Sequence, residues 1–194
     1  INTYEPQDKR LEASISIIEG TGPVGQMVIE SVHSPVGYTT PPGKRSYRFI
    51  NKYLHQHSLI NNTDDNFPVY RFSEALLAIA ETLNELNRGA EALPFLNKVR
   101  HRAGLPDVTE TNKEILREVI LHERRIELAF ENKRWHDLVR TGKAIEVMNQ
   151  NGVYLKALYP NLPENSYTVN QDRLLFPIPL REIQIGNLEQ NNGY

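Results

Sequence analysis

Residues 114–140 carry the pattern that most restricts how this chain can fold. Apolar residues recur there every three or four positions, which is typical of an amphipathic helix. The apolar stripe consists of Ile115, Leu116, Val119, Ile120, Ile126 and Phe130. Glu123 and Glu127 lie within this stripe. The arginines of the same helix lie on its other faces: Arg117, Arg124 and Arg125. Because an uncompensated buried carboxylate costs several kcal/mol, both glutamates need partners.

Two interpretations of this carboxylate pair are open. The favoured one is structural, in which arginine side chains or backbone N–H groups from neighbouring elements neutralise two buried acids. The arginines near them in sequence are Arg100, Arg102, Arg134 and Arg140. The alternative is acid/base or glycosidase chemistry, which needs two acids with separated pKa values. A zinc-protease motif does not fit, because Ile126 stands four residues after His122, where the second ligand belongs.

The composition excludes several classes of function. The 194 residues include 22 basic and 24 acidic side chains, a net charge of −2, and no cysteine. Because basic and acidic residues are balanced, the sequence does not indicate the positively charged surface that binds nucleic acid. The lack of cysteine excludes disulfide frameworks, thiolate metal sites and cysteine nucleophiles. We therefore expect no nucleic-acid partner and no thiolate metal site. No residue pattern predicts a cofactor or another metal site.

Residues 70–104 predict a helical hairpin. One stripe consists of Phe72, Ala75, Leu76, Ile79, Ala80, Leu83 and Leu86, and the second of Ala92, Leu93, Leu96, Val99 and Ala103. Gly104 followed by Pro106 ends the second helix. The large and small positions match the tetratricopeptide pattern. Since one such repeat cannot bury both of its faces, we expect the later helices to complete the stack and further repeats to lie outside this chain.

The remaining segments predict a mostly α-helical single domain over residues 1–194, with long irregular loops and few short strands. Residues 1–69 are an irregular region, in which residues 11–18 and 26–32 fit short strands. Residues 113–150 form a second helical pair, with Trp135 in the core. Residues 151–194 are irregular and extended, because prolines interrupt the apolar tail.

Five segments together resemble the C-terminal part of the RagB/SusD family of nutrient-uptake outer-membrane lipoproteins. In order they are DKRLEASI, VYRFSEALLAIAETLNEL, EALPFLNKVRHRAGLP, HERRIELAFENKRWHDLVRTG and LLFPIPLREIQIGNLEQNNGY. The resemblance implies a SusD-like α/α superhelix. It also places Glu123 and Glu127 in the family's structural signature. Two mild departures are Ser73, where alanine is usual, and Asn192, where proline is common.

The same resemblance implies a function and a location. Members bind glycans or other nutrients at the cell surface and deliver them to a partner, a SusC-like TonB-dependent outer-membrane transporter, without catalysing a reaction. Their lipid anchor is an N-terminal cysteine, so we expect the N-terminal part of the protein to lie outside these 194 residues. A helical-repeat scaffold that binds a peptide or protein is the alternative. A hydrolase that uses Glu123 and Glu127 is a third hypothesis.

A glycan ligand calls for exposed aromatic rings beside short polar side chains, on loops held by a rigid scaffold. Two regions of this chain have that composition. One is the loop that carries Tyr38 and Tyr47. The other is the segment from Tyr154 to Tyr167, which also contains Asn161, Asn165 and Ser166. We expect Tyr38, Tyr47, Tyr159 or Tyr167 to contribute any ring stacking made by this part of the protein.

Overall fold

The computed structural model describes residues 3–23, 25–55, 58–59 and 66–194. It divides the chain into two compact units, Ile1–Lys133 and Arg134–Tyr194. Within the described residues it contains seven α-helices, three strands and one 3-10 helix. The prediction of a mostly helical fold with few short strands is confirmed. The single domain expected over residues 1–194 stays a prediction.

Three helices form the core of the first unit: α2 (Phe72–Glu85), α3 (Gly89–Ala103) and α4 (Lys113–Glu127). Asn112 caps α4, because its side-chain oxygen accepts hydrogen bonds from the N–H groups of Glu114 and Ile115. Gly104 ends α3 in the left-handed conformation, φ 80°. The shared core contains Leu76, Leu77, Ala80, Ala92, Leu96, Val99, Leu116 and Ile120.

A short helix, α1 (Arg10–Ser14), leads into a three-stranded antiparallel sheet. The strands are β1 (Ile15–Thr21), β2 (Val28–His33) and β3 (Arg45–Ile50), in the order β2-β1-β3. A bulge between Glu19 and Gly20 shifts the register of β1 against β2. The two strands expected near residues 11–18 and 26–32 are therefore present with shifted bounds. The third strand was not anticipated, because its exposed arginines and aromatic residues show no clear alternation.

The second unit contains α5 (Arg134–Arg140), α6 (Ala144–Leu158), the 3-10 helix (Gln171–Leu174) and α7 (Leu180–Gly186). The second helix of the pair expected over residues 113–150 is interrupted at Gly142, whose φ is 70°. Helix α6 then continues eight residues beyond that expected end. Residues 180–186 are helical rather than extended, because Pro179 stands just before the helix, where its missing N–H costs no hydrogen bond.

Several residues of the predicted apolar stripes are exposed. Phe72, Ile79, Leu86, Ile115 and Phe130 all face solvent, although other members of the same stripes are fully buried. Phe130 lies beyond the end of α4, with φ 67°. Arg124, expected on an outer face, is buried. Trp135, expected in the core, is half-buried.

Among the described residues, no helix is both long and apolar enough to cross a membrane.

Candidate functional site

Glu123 and Glu127 lie at the centre of a buried ion-pair network in the first unit. Their exposed fractions are 1% and 2%. The Glu123 carboxylate accepts hydrogen bonds from Arg10 Nη1 at 2.5 Å and from Arg100 Nη1 at 2.9 Å. Two guanidinium groups from different elements thus neutralise one carboxylate.

The Glu127 carboxylate has three arginine partners. It accepts hydrogen bonds from Arg71 Nη1 at 2.5 Å, Arg102 Nη2 at 2.6 Å and Arg10 Nη1 at 3.1 Å. Burial by itself raises the pKa of Glu127, but hydrogen bonds and charge from the arginines outweigh burial and lower the pKa to about 2. The carboxylate is therefore a fixed anion at neutral pH and is poorly suited to exchange protons with a substrate.

Residues outside α3 and α4 complete this network. Arg71 also donates to Glu131 Oε2 at 2.8 Å, and Arg10 donates to Asp8 Oδ2 at 2.7 Å. Lys52 pairs with Glu131. Of the arginines named from the sequence, Arg100 and Arg102 are partners, whereas Arg134 and Arg140 belong to the second unit. Sequence reasoning missed Arg10 and Arg71, because they lie 113 and 56 residues away from Glu123 and Glu127 respectively.

Tyr38 packs against one face of the sheet. Its hydroxyl donates to Glu19 Oε2 at 2.6 Å, and its ring stacks on His33 with the centroids 4.8 Å apart. Loss of hydration raises the pKa of Tyr38, and the adjacent Glu19 carboxylate raises it further. One ring face and the hydroxyl of Tyr38 are thus already engaged within the protein.

Tyr47 belongs to the opposite face of the sheet. It pairs with Ile18 of β1, whereas its neighbour Ser46 pairs with Glu19, which binds Tyr38. Because successive side chains of a strand point to opposite faces, Tyr47 and Tyr38 cannot stack on the same side of one sugar ring. The structure separates two residues that sequence reasoning grouped together.

Tyr159 and Tyr167 both expose their rings in the second unit. Tyr159 immediately follows α6. Tyr167 adopts a positive φ of 56° and packs its backbone on α6, where a Cβ added to Gly152 would lie 2.6 Å from the Tyr167 carbonyl oxygen. The nearby Asn149 side chain binds both the N–H and the C=O of Val169. The Tyr167 backbone is therefore firmly positioned while its ring faces solvent.

Sequence reasoning missed a pair of exposed aromatic rings at the start of α2. Tyr70 and Phe72 are 79% and 68% exposed, and they flank the anchored Arg71. Lys133 Nζ lies 4.3 Å from the Tyr70 ring centroid, and Lys98 Nζ lies 5.1 Å from that of Phe72. The sequence pattern did not indicate this pair, because the inward position of Arg71 depends on its tertiary contact with Glu127.

Comparison with known proteins gives consistent matches. A family model described as the SusD family matches residues 1–194. SusD-like protein P38 of Formosa agariphila is 38% identical over 156 residues, which cover 75% of this chain and 28% of that protein. SusD-like protein P2 of the same organism is 36% identical over 160 residues, which cover 75% of this chain and 30% of that protein. The chain thus spans less than a third of the curated relatives that it matches.

Two solved structures match nearly the whole chain. Surface glycan-binding protein A from Bacteroides thetaiotaomicron is 27% identical, with a TM-score of 0.62, and the match covers 98% of this chain and 39% of that one. A SusD superfamily protein from Parabacteroides distasonis is 26% identical, with a TM-score of 0.64, and the match covers 100% of this chain and 40% of that one. The chain, matched by the family model from its first residue to its last, belongs to the SusD family.

Proposed function

We propose that this protein binds nutrient glycans at the cell surface as the binding component of an outer-membrane uptake system. The observation that carries the proposal is membership of the SusD family over residues 1–194. A solved structure that matches 98% of this chain is a surface glycan-binding protein. The chain spans only part of its relatives, so the proposal concerns the protein to which these residues contribute.

The partner in this proposal is a SusC-like TonB-dependent transporter, and the attachment to the membrane is a lipid on a cysteine outside these residues. Both follow from the family rather than from contacts in this chain. Two experiments together test the partner. One is in-frame deletion of the gene in a strain that grows on one glycan, and the other is affinity purification of the tagged protein. We expect loss of growth and recovery of a TonB-dependent transporter. Normal growth without a co-purified transporter would contradict this part of the proposal.

We propose that binding takes place without catalysis. The two acids that a hydrolase would need are held by arginines: Glu123 by two and Glu127 by three. Tyr38, Tyr47, Tyr159 and Tyr167 remain the proposed stacking residues. Tyr47, Tyr159 and Tyr167 expose large parts of their rings, and Tyr38 is half-buried.

Isothermal titration calorimetry against plant and host oligosaccharides tests the binding function. We expect saturable binding to at least one of them, with a negative heat-capacity change if apolar ring faces are buried. Binding to none of a broad panel, by a chain shown to be folded by circular dichroism, would contradict it.

A helical-repeat scaffold for a peptide or protein remains the second candidate. The exposed apolar residues Phe72, Ile79 and Leu86 favour it, since their spacing along α2 suits a partner helix. If the chain bound peptides and not oligosaccharides, the scaffold function would become the preferred one.

A further inference from the structure

The second unit contains a cleft of about 550 Å³ that sequence reasoning did not anticipate. Its volume falls within the range of about 300–1,000 Å³ that is typical of small-molecule sites. The lining residues are Val139, Gln171, Asp172, Leu174, Leu175, Gln190, Asn191 and Asn192. Four of these side chains are carboxamides and one is a carboxylate. The cleft therefore combines apolar walls with a dense set of neutral hydrogen-bonding groups.

Hydrogen bonds fix one wall of the cleft to the other. The Gln190 carboxamide accepts from Ile178 N at 2.8 Å and donates to Ile178 O at 3.0 Å. Asn191 Nδ2 donates to Phe176 O at 2.7 Å, and the Tyr194 hydroxyl donates to Leu175 O at 3.0 Å. Residues 190–194 thus form a strap over residues 175–178, and the cleft is preorganised rather than formed by loose side chains.

Close packing also positions the carboxylate. Gly193 has a φ of 87°, and a Cβ added there would lie 2.7 Å from Asp172 Cβ. Only glycine permits this approach of the strap to the 3-10 helix. Asn170 caps that helix through a hydrogen bond from Arg173 N at 3.2 Å. Close packing against Gly193 and the capped 3-10 helix together fix the position of Asp172.

Hydrogen-bonding capacity remains unused in the cleft. Gln171, Asp172 and Asn192 make no side-chain hydrogen bond or ion pair with the part of the chain that the structure describes. Together they offer two amide N–H₂ donors, two amide oxygens and a carboxylate. A sugar hydroxyl both donates and accepts, so adjacent hydroxyls can use an amide and a carboxylate at once.

The negative charge of Asp172 disfavours anionic ligands in the cleft. Asp172 is the one ionisable side chain that lines it, and the Arg173 guanidinium instead lies 4.5 Å from the Tyr194 ring. An anionic ligand such as a phosphate or a uronic acid would meet a carboxylate without a compensating cation. The apolar side chains of Leu174 and Leu175 suit the C–H face of a sugar.

We propose that this cleft is a subsite for a neutral pyranose of the bound glycan, with Asp172 and Asn192 as its hydroxyl-binding residues. The inference rests on the proposed glycan-binding function and adds to it a location and a charge preference. None of the tyrosines predicted from the sequence lines this cleft.

The test uses four hexasaccharides with the intact chain: maltohexaose, cellohexaose, xylohexaose and the acidic hexagalacturonate. Calorimetry gives the affinities. ¹H–¹⁵N correlation spectra report the side-chain amide signals of Gln171, Asn191 and Asn192. We expect one neutral hexasaccharide to bind and to shift these amide signals, and hexagalacturonate to bind at least about tenfold more weakly.

The variants are Asp172→Asn and Asn192→Ala, with Asn151→Ala as the control, since Asn151 is an exposed asparagine of α6 in the same unit that does not line the cleft. We expect Asp172→Asn and Asn192→Ala to weaken binding of the neutral ligand at least about fivefold. Asp172→Asn should also reduce the difference in affinity between the neutral and the acidic ligands. The control variant should bind the neutral ligand with the same affinity as the parent chain.

Binding of a neutral hexasaccharide with unshifted cleft amides and unchanged affinities in both variants would overturn the subsite while leaving the glycan-binding function in place. Tighter binding of hexagalacturonate would also overturn it. Failure of every hexasaccharide to bind the parent chain would instead contradict the glycan-binding function on which the subsite rests.

Discussion

Glu127 makes the stability of the first unit depend on pH. Its pKa falls from an ordinary 4.5 to about 2 on folding, because the attraction of Arg71, Arg102 and Arg10 outweighs the effect of burial. A lowered pKa in the folded state stabilises the protein above the unfolded pKa, and this contribution disappears as pH falls through the folded pKa. At about 1.4 kcal/mol per pKa unit, the contribution is on the order of 3 kcal/mol.

We therefore expect the free energy of unfolding of the intact chain to fall by about this amount between pH 4.5 and pH 2, measured by urea denaturation at several pH values. The Glu127→Gln variant should be less stable than the parent at pH 7. Its free energy of unfolding should also fall less than that of the parent on acidification. An equal acid dependence in the variant and the parent would show that other carboxylates are responsible.

The four proposed stacking tyrosines are also tested one residue at a time. Alanine replacement of Tyr38, Tyr47, Tyr159 or Tyr167 should weaken glycan binding by about 1 kcal/mol wherever the ring stacks on the ligand. Since Tyr38 and Tyr47 lie on opposite faces of the sheet, we expect no more than one of these two to contribute to one stacked ring.

Tyr154→Ala serves as a control, because Tyr154 exposes its ring on α6 and is not a proposed contact. Calorimetry with a check of thermal stability measures the effect. Unchanged affinity in all four variants would remove ring stacking from these positions.

At the scale of secondary-structure elements, the apolar arc of α2 is wider than the surface that α3 and α4 cover. Leu76, Leu77 and Ala80 pack against α3 and α4, while Phe72, Ile79 and the C-cap residue Leu86 lie at one edge of the arc and face solvent. An apolar arc that extends beyond the buried contacts is typical of a helix in a helical array, where another helix covers the remainder. We propose that further helices of a longer chain cover this exposed part of the arc.

The 194-residue chain by itself should therefore self-associate and bind an apolar dye such as ANS. Replacing Phe72 and Ile79 with serine should shift sedimentation toward the monomer and reduce dye binding. Ile115→Ser, an exposed apolar position on α4, should have a smaller effect. A monomeric parent chain that binds no dye would contradict the proposal.

The elements differ in how far their sequences predict them. Helices α2, α3 and α4 follow from periodicity and from caps such as Asn112 and Gly104, because these signals act within a few residues. Arg10 and Arg71 could not be assigned to the glutamates, since tertiary structure alone brings them together. The cleft of the second unit was equally inaccessible, because carboxamides show no pattern until the strap and the 3-10 helix are placed.

At the scale of the whole molecule, the proposed binding function implies that the protein leaves glycans intact. Incubation of the chain with starch, xylan, pectin and mucin glycans should release no reducing ends above a buffer control. The physical reason is that Glu127 is held as an anion by three arginines and cannot act as a general acid near neutral pH. Sustained release of reducing ends that disappears in Glu127→Gln would favour the hydrolase hypothesis.

The pairing of Arg10 with Glu123 also bears on the order of events during folding. These residues are 113 positions apart, so their contact closes a long loop, whereas α2 and α3 meet through a short turn. We expect the hairpin to form early and the ion pair to form after the rate-limiting step. Glu123→Ala, which leaves Arg10 and Arg100 without this carboxylate, should cost about 3 kcal/mol.

Most of that loss should appear as faster unfolding, with the refolding rate nearly unchanged, in stopped-flow measurements. Glu114→Ala, at an exposed position of the same helix, should change both rates little. A slower refolding rate in Glu123→Ala would mean that the N-terminal segment docks early. If the N-terminal segment docks late, the buried network lengthens the lifetime of the folded protein. It then has little influence on the rate at which the protein folds.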